Sequence, residues 1–246
     1  MMTAQQQYLD AMGIDVWQRR DLPAAVIIET SPPETVSSEL KPTVTIPVVA
    51  DNVGIMEWDP LRSTVASCEL CSLHTTRTQT VFGTGDQQAQ LMIISDAPGV
   101  DENRQGEPFV GRAGQLLNEM LRAIGFKREQ VYIAYITKCR PSNNTAPQAA
   151  EMSSCHAYLQ RQIALVQPVV ILAVGELTAQ YLLKRDETLA DLRGKEHRYP
   201  GSDIPVIATY HPAFLLDSSA EKRNAWHDLL MARAIVAENI KHKVTG

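Results

Sequence analysis

Four short apolar runs, LMII (91–94), VYIAYI (131–136), VVILAV (169–174) and PVIATY (205–210), leave this chain few folds to choose from. Each is rich in Val, Ile and Ala and apolar at consecutive rather than alternate positions, the pattern of strands buried on both faces. Helical patterns separate them. In GQLLNEMLRAIG (114–125), Leu116, Leu117, Met120, Leu121 and Ile124 fall on one face, and further helices are expected over 148–166, 176–184 and 219–240. Strands alternating with helices through short connections predict an α/β fold, a parallel sheet covered on both sides. Ligands of such folds bind beyond the carboxyl ends of the strands. Asp96, Cys139 and His211 each follow an apolar run, so all three are expected at one rim.

The charge is unevenly placed. Residues 1–59 carry nine acidic against three basic residues, a net of −6, whereas the remainder carries 20 basic against 19 acidic ones. Such a balance offers no broad basic face for nucleic acid, so any role at DNA rests on local features. No run of about 18 apolar residues is present, and the first residues lack the basic and apolar regions of a signal peptide. A cytoplasmic location is therefore expected. The four cysteines are then thiols or metal ligands rather than disulfides.

Cys68 and Cys71 form a C-x2-C unit, and Cys139 and Cys155 follow with 15 residues between them. Two close pairs would read as a zinc ribbon, but the second pair here is not close. Four thiolates suit zinc or an iron–sulfur cluster, and spacing leaves both open.

The stretch SDAPGVDENRQGEPFVGRAGQLL (95–117) holds four glycines, two prolines, several carboxylates and Phe109 directly after the first apolar run. Together with CELCSLHTTRTQTVFGTG, YITKCRPSNN, Cys155 and YHPAFLL…EKRNAWHDL, it occurs in an order that resembles the family 4 uracil-DNA glycosylases, the iron–sulfur branch of their superfamily. The resemblance spans about 60–240. It implies a three-layer α/β/α sandwich with a four-stranded, mainly parallel sheet, and a [4Fe–4S] cluster on Cys68, Cys71, Cys139 and Cys155. It also implies a reaction on DNA. Cleaving a base from deoxyribose passes through a sugar cation and a departing base anion, so a carboxylate beside C1′ and a donor beside the base oxygen both lower the barrier. The nucleotide is first flipped out and stacked on an aromatic ring. The resemblance gives Asp96 the carboxylate's place and His211 the donor's, makes Phe109 the stacking ring, and lines the base pocket with Ala97, Gly99, Glu102, Tyr135 and Asn144.

Three departures from the family pattern bear on activity. The family usually reads GEAPG where this chain has Ser95-Asp96-Ala97-Pro98-Gly99, and aspartate shortens the reach by roughly 1.5 Å, one C–C bond. Such a displacement costs about 100-fold where geometry is demanding. Tyr135 stands where the family has an Asn that reads uracil through a paired donor and acceptor, and a phenol presents no such pair. Asp217 replaces a base at the end of the HP motif.

The chain divides into residues 1–25, a linker over 26–58 rich in Pro, Ser and Thr, and a domain over 59–242. Residues 5–20 read either as a disordered start or as a docking peptide through Tyr8, Leu9, Met12, Ile14 and Trp17. YLDAMGIDVWQRR resembles the start of the psi subunit of bacterial DNA polymerase III, which implies clamp-loader subunits as partners. The expected function is a DNA-repair glycosylase acting on uracil or another damaged base. The alternative is an inactive replisome accessory that keeps the fold as a binding module.

Overall fold

A computed structural model describes residues 52–142 and 145–245. Four parallel strands form the centre of its sheet: β2 (Leu91–Ser95), β3 (Tyr132–Tyr135), β4 (Val170–Val174) and β6 (Pro205–Thr209). Two short antiparallel strands, β1 (Thr84–Gly85) beside β3 and β5 (Glu196–Arg198) beside β6, extend it to six in the order β1-β3-β2-β4-β6-β5. The expected four strands are thus the buried centre of a six-stranded sheet. The two edges escape the sequence pattern because strands of two and three residues carry no apolar run.

Register and side-chain alternation produce the layers. Ile93 lies opposite Ile133 and Leu172, and Leu172 opposite Ile207, so these side chains share one face. That face packs on α3 (Arg112–Ala123) through Leu117 and Leu121, and on α8 (Lys222–Thr245) through Leu229 and Val236. Met92, Ile94, Ala134, Ile171 and Val206 point the other way, onto Leu159 and Ile163 of α4 (Ala149–Val166) and Leu182 of α5 (Glu176–Leu183). Consecutive apolar residues in each strand are therefore needed by two different cores. Each buried aliphatic side chain contributes roughly 1.5–3 kcal/mol.

A satellite core lies at the first of the described residues. Leu61 and Val65 of α1 (Trp58–Ala66) pack with Val53, Phe82 and Tyr158. Val53 is 1% exposed, and the Arg161 side chain donates to the Met56 carbonyl. Residues 52–58, expected in the linker, thus belong to the domain; isolated apolar residues among polar ones left no period to detect.

The sheet also fixes where a ligand can sit. The chain leaves β2 towards β3 on one side, while β4 leads to β6 on the other. The carboxyl ends of β2 and β4 flank the point where the direction reverses, the preferred crevice of open α/β sheets. Asp96 follows β2 directly at that point.

Candidate active site and cysteine cluster

The loop after β2 contains a short helix, α2 (Val100–Gln105), which ends at Gly106 in a left-handed conformation. Glu102 binds both ends of this loop. One carboxylate oxygen accepts the Gly99 amide and the other the Val110 amide, each at 3.1 Å. A Cβ on Gly99 would lie 2.6 Å from that same carboxylate, so a larger residue there would push the Glu102 side chain aside. Farther on, the Arg128 guanidinium donates to the Pro108 carbonyl and to Asn118 Oδ1. Phe109 is held at φ 53°, a strained value for a residue with a side chain. Helix α3 backs directly onto it, since a Cβ on Gly114 would come within 1.8 Å of the Phe109 carbonyl oxygen.

This loop closes a cleft of 320 Å³ over the strand ends. Asp96, Ala97, Gly99, Glu102, Phe109, Tyr135 and His211 all line it. Asn144 lies outside the described residues, although Pro141 and Thr145 on either side of it line the cleft. Asp217, the last residue of α7 (Pro212–Asp217), is exposed and is not among the lining residues.

The Asp96 carbonyl accepts the Thr137 amide at 3.1 Å, so the next strand fixes its backbone. Its Oδ1 lies 3.1 Å from the hydroxyl of fully buried Ser95, which is also 3.3 Å from the Val174 carbonyl. That hydroxyl has a single proton, and the charged acceptor is the stronger one. Ser95 therefore orients the carboxylate. It is a positioning residue that sequence reasoning passed over, because one serine ending a strand carries no signal of its own.

His211 caps α7, its Nδ1 accepting the Ala213 amide at 3.1 Å. That bond leaves the proton of the neutral ring on Nε2, as a donor. Burial lowers its pKa from 6.5, and the negative charges of Asp96 and Glu102 oppose the shift. The Phe109 ring stacks at 5.5 Å on His211 and at 5.4 Å on Tyr135, whose hydroxyl accepts the Phe109 amide at 3.1 Å.

The cysteines come from three segments, Cys68 and Cys71 after α1, Cys139 after β3 and Cys155 within α4. Cys139 and Cys155 are buried, Cys68 and Cys71 half-buried, and all four are free thiols. Burial raises the pKa values of Cys71, Cys139 and Cys155, the last to about 12. Their charges also act on one another: Cys68 on Cys71, both of these on Cys139, and Cys139 and Cys71 on Cys155. Arg77 donates to the Cys139 sulfur at 3.2 Å and to the Cys68 carbonyl at 2.7 Å. Lys138, 1% exposed, donates to the Tyr135 carbonyl at 2.7 Å and to Gln162 Oε1 at 2.6 Å. Among the described residues no group of three or more His, Cys, Asp or Glu has the arrangement of a metal site. Arg77 and Lys138 were not anticipated; their contacts to Cys139 and Gln162 span 62 and 24 positions and leave no spacing to read.

The five proposed docking residues, Tyr8, Leu9, Met12, Ile14 and Trp17, lie outside the described residues. No helix among the described residues is long and apolar enough to cross a membrane. The family model of the uracil DNA glycosylase superfamily matches residues 82–230. A Type-4 uracil-DNA glycosylase of Archaeoglobus fulgidus is 42% identical over 164 residues, covering 64% of this chain and 82% of that protein. Those of Pyrobaculum aerophilum and Thermotoga maritima are each 38% identical, over 72% of this chain and 93% and 88% of their own lengths. Nothing in these comparisons supports the resemblance to the psi subunit or a clamp-loader partner. Matched over more than half its length by the family model, and over most of the length of these relatives, the chain belongs to the uracil DNA glycosylase superfamily and to its Type-4 family.

Proposed function

We propose that this protein is a DNA-repair glycosylase that hydrolyses the N-glycosidic bond of uracil in DNA at the cleft after β2. The observation that carries this reading is the meeting of Asp96, Phe109 and His211 in one cleft. The nucleotide enters flipped out of its strand, and Phe109 supplies the stacking surface. As the bond breaks, positive charge grows on the deoxyribose and negative charge on the base. The Asp96 carboxylate stabilises the first and orients the attacking water, while His211 Nε2–H donates to the base oxygen that gains the second. A neutral imidazole suits that task, because its donor is fixed by the Ala213 amide bond before the base arrives. Glu102 serves the pocket by holding the loop, both of its oxygens being engaged by backbone amides. Mass-spectrometric detection of free uracil released from a single-stranded oligonucleotide tests the reading; an intact oligonucleotide contradicts it.

Two expected results arise from this geometry. Removing the Ser95 hydroxyl with Ser95→Ala leaves Asp96 charged but unoriented. A hydrogen bond to a charged group is worth about 1.5–3 kcal/mol, so kcat should fall by roughly tenfold or more with KM unchanged. Single-turnover and steady-state kinetics separate the two constants. The second result concerns pH. A His whose folded pKa lies below 6.5 stays neutral above that value and gains its proton only as the pH falls further. Protonation puts a hydrogen on Nδ1 and breaks the Ala213 bond. The rate is therefore level above pH 6.5 and declines on the acid side, and His211's contribution to stability follows the same direction. A pH–rate profile of native protein and His211→Gln checks this, the variant losing that decline.

The same reading places a [4Fe–4S] cluster on Cys68, Cys71, Cys139 and Cys155. The donor set fits: four unpaired thiols within electrostatic reach of each other, with the Arg77 and Lys138 side chains beside them. Each of the four would supply one thiolate to the cluster. Cys68 and Cys71 after α1, Cys139 after β3 and Cys155 in α4 would hold it, and its bonds would then link these three segments covalently. Residues 1–25 are proposed as a separate peptide joined to this domain by a linker.

A further inference from the structure

Tyr135 ends β3 at the cleft, 2% exposed, with its ring against Phe109. Its hydroxyl oxygen accepts the Phe109 amide at 3.1 Å. A phenolic O–H prefers the plane of its ring, which leaves the proton two positions, and an amide hydrogen directed at the oxygen disfavours one of them. The proton is then committed to the other position. Among the described residues no acceptor receives it. A buried donor without an acceptor is costly, and native interiors rarely leave one unless a ligand completes it. Burial, reinforced by the nearby Glu102 and Asp96 charges, raises the Tyr135 pKa, so the group remains a protonated donor.

We infer that Tyr135 is a specificity-determining residue of this cleft: its phenolic O–H donates to a carbonyl oxygen of the flipped base, and no ring N–H is read there. The inference rests on the proposed reading of the cleft as a base pocket. An amide side chain offers a donor and an acceptor side by side, and so recognises a carbonyl together with the adjacent imide N–H. Tyr135 offers a donor alone, because its oxygen is already engaged by the Phe109 amide. The substrate class is accordingly a base with an oxo group facing Tyr135, whether or not the neighbouring ring nitrogen carries hydrogen. Cytosine and adenine place an amino donor against this donor and are rejected. Uracil, 3-methyluracil and hypoxanthine place a carbonyl there and are accepted.

Binding tests this apart from cleavage. Single-stranded oligonucleotides carrying 2′-fluoro-deoxyuridine, its 3-methyl derivative or 2′-fluoro-deoxycytidine resist base loss, since fluorine disfavours the sugar cation. Native protein should bind the uracil and 3-methyluracil strands within about threefold of each other and the cytosine strand about tenfold more weakly, the scale of one neutral hydrogen bond. Tyr135→Phe removes the hydroxyl, and with it the acceptor of the Phe109 amide; it should abolish the preference for uracil over cytosine, with iron content retained and a melting temperature lowered by the lost buried hydrogen bond. A Tyr135→Phe protein that keeps the preference overturns the inference. So does native protein without a preference, or one that rejects only the 3-methyl base. Selective binding of the uracil strands, lost in Tyr135→Phe, supports the inference even if natural uracil strands stay uncleaved, in which case only the proposed reaction fails.

Discussion

Asp96→Asn should lower single-turnover base release by roughly a thousandfold while leaving the cleft intact. Asparagine is nearly isosteric with aspartate and its carbonyl oxygen can still accept the Ser95 hydroxyl, which lies 3.1 Å from Oδ1 in the native chain. The lost quantity is charge. A unit negative charge about 4 Å from a forming sugar cation is worth about 4 kcal/mol at an effective dielectric constant near 20. Each 1.36 kcal/mol is about tenfold in rate, which gives the expected factor. Binding of a non-cleavable uracil strand should change far less, because the cation exists only in the transition state. Rapid-quench kinetics with saturating protein reads the chemical step. A rate within threefold of native would remove Asp96 from the reaction.

Cys155→Ala should produce a larger structural effect than any substitution in the cleft. Cys155 lies in the middle of α4, whereas Cys68 and Cys71 follow α1 and Cys139 follows β3. Losing one ligand would free helix α4 from the proposed cluster and leave it tied to its neighbours by packing and by hydrogen bonds such as those of Arg161 to the Met56 carbonyl and of Lys138 to Gln162. Native protein purified without oxygen is expected to be brown with about four irons per chain, the composition of a cubane cluster. Cys155→Ala should be pale, hold well under half of that iron, and melt at lower temperature. Iron and zinc analysis by plasma mass spectrometry, with visible absorption, decides it. A colourless native protein holding one zinc ion would contradict the cluster.

The central strands were legible because each must satisfy two hydrophobic cores, and that demand fills consecutive positions with apolar residues. Ile93 and Ile94 face opposite layers, so neither could be polar. Strands β1 and β5 meet no such demand and stayed hidden. Within the cleft, the residues that protrude from strand ends or from a glycine-rich loop were legible: Asp96, Phe109 and His211 all line it. Residues that act through others were not. Ser95, Arg77, Arg128 and Lys138 work through hydrogen bonds to partners that lie from one to dozens of positions away. Glu102 was expected as a base contact; it lines the cleft, and its side chain also ties Gly99 to Val110, a role that depends on how the loop closes. For Tyr135 the sequence located the departure, and the structure adds that its hydroxyl accepts the Phe109 amide, which the sequence could not show.

Single-turnover release of uracil from single-stranded DNA by the iron-replete protein measures the proposed activity most directly. Native protein should convert uracil sites to alkali-sensitive abasic sites, and Asp96→Asn of equal iron content should leave them intact. Intact DNA with native protein, or equal cleavage by both proteins, would contradict a glycosylase centred on Asp96.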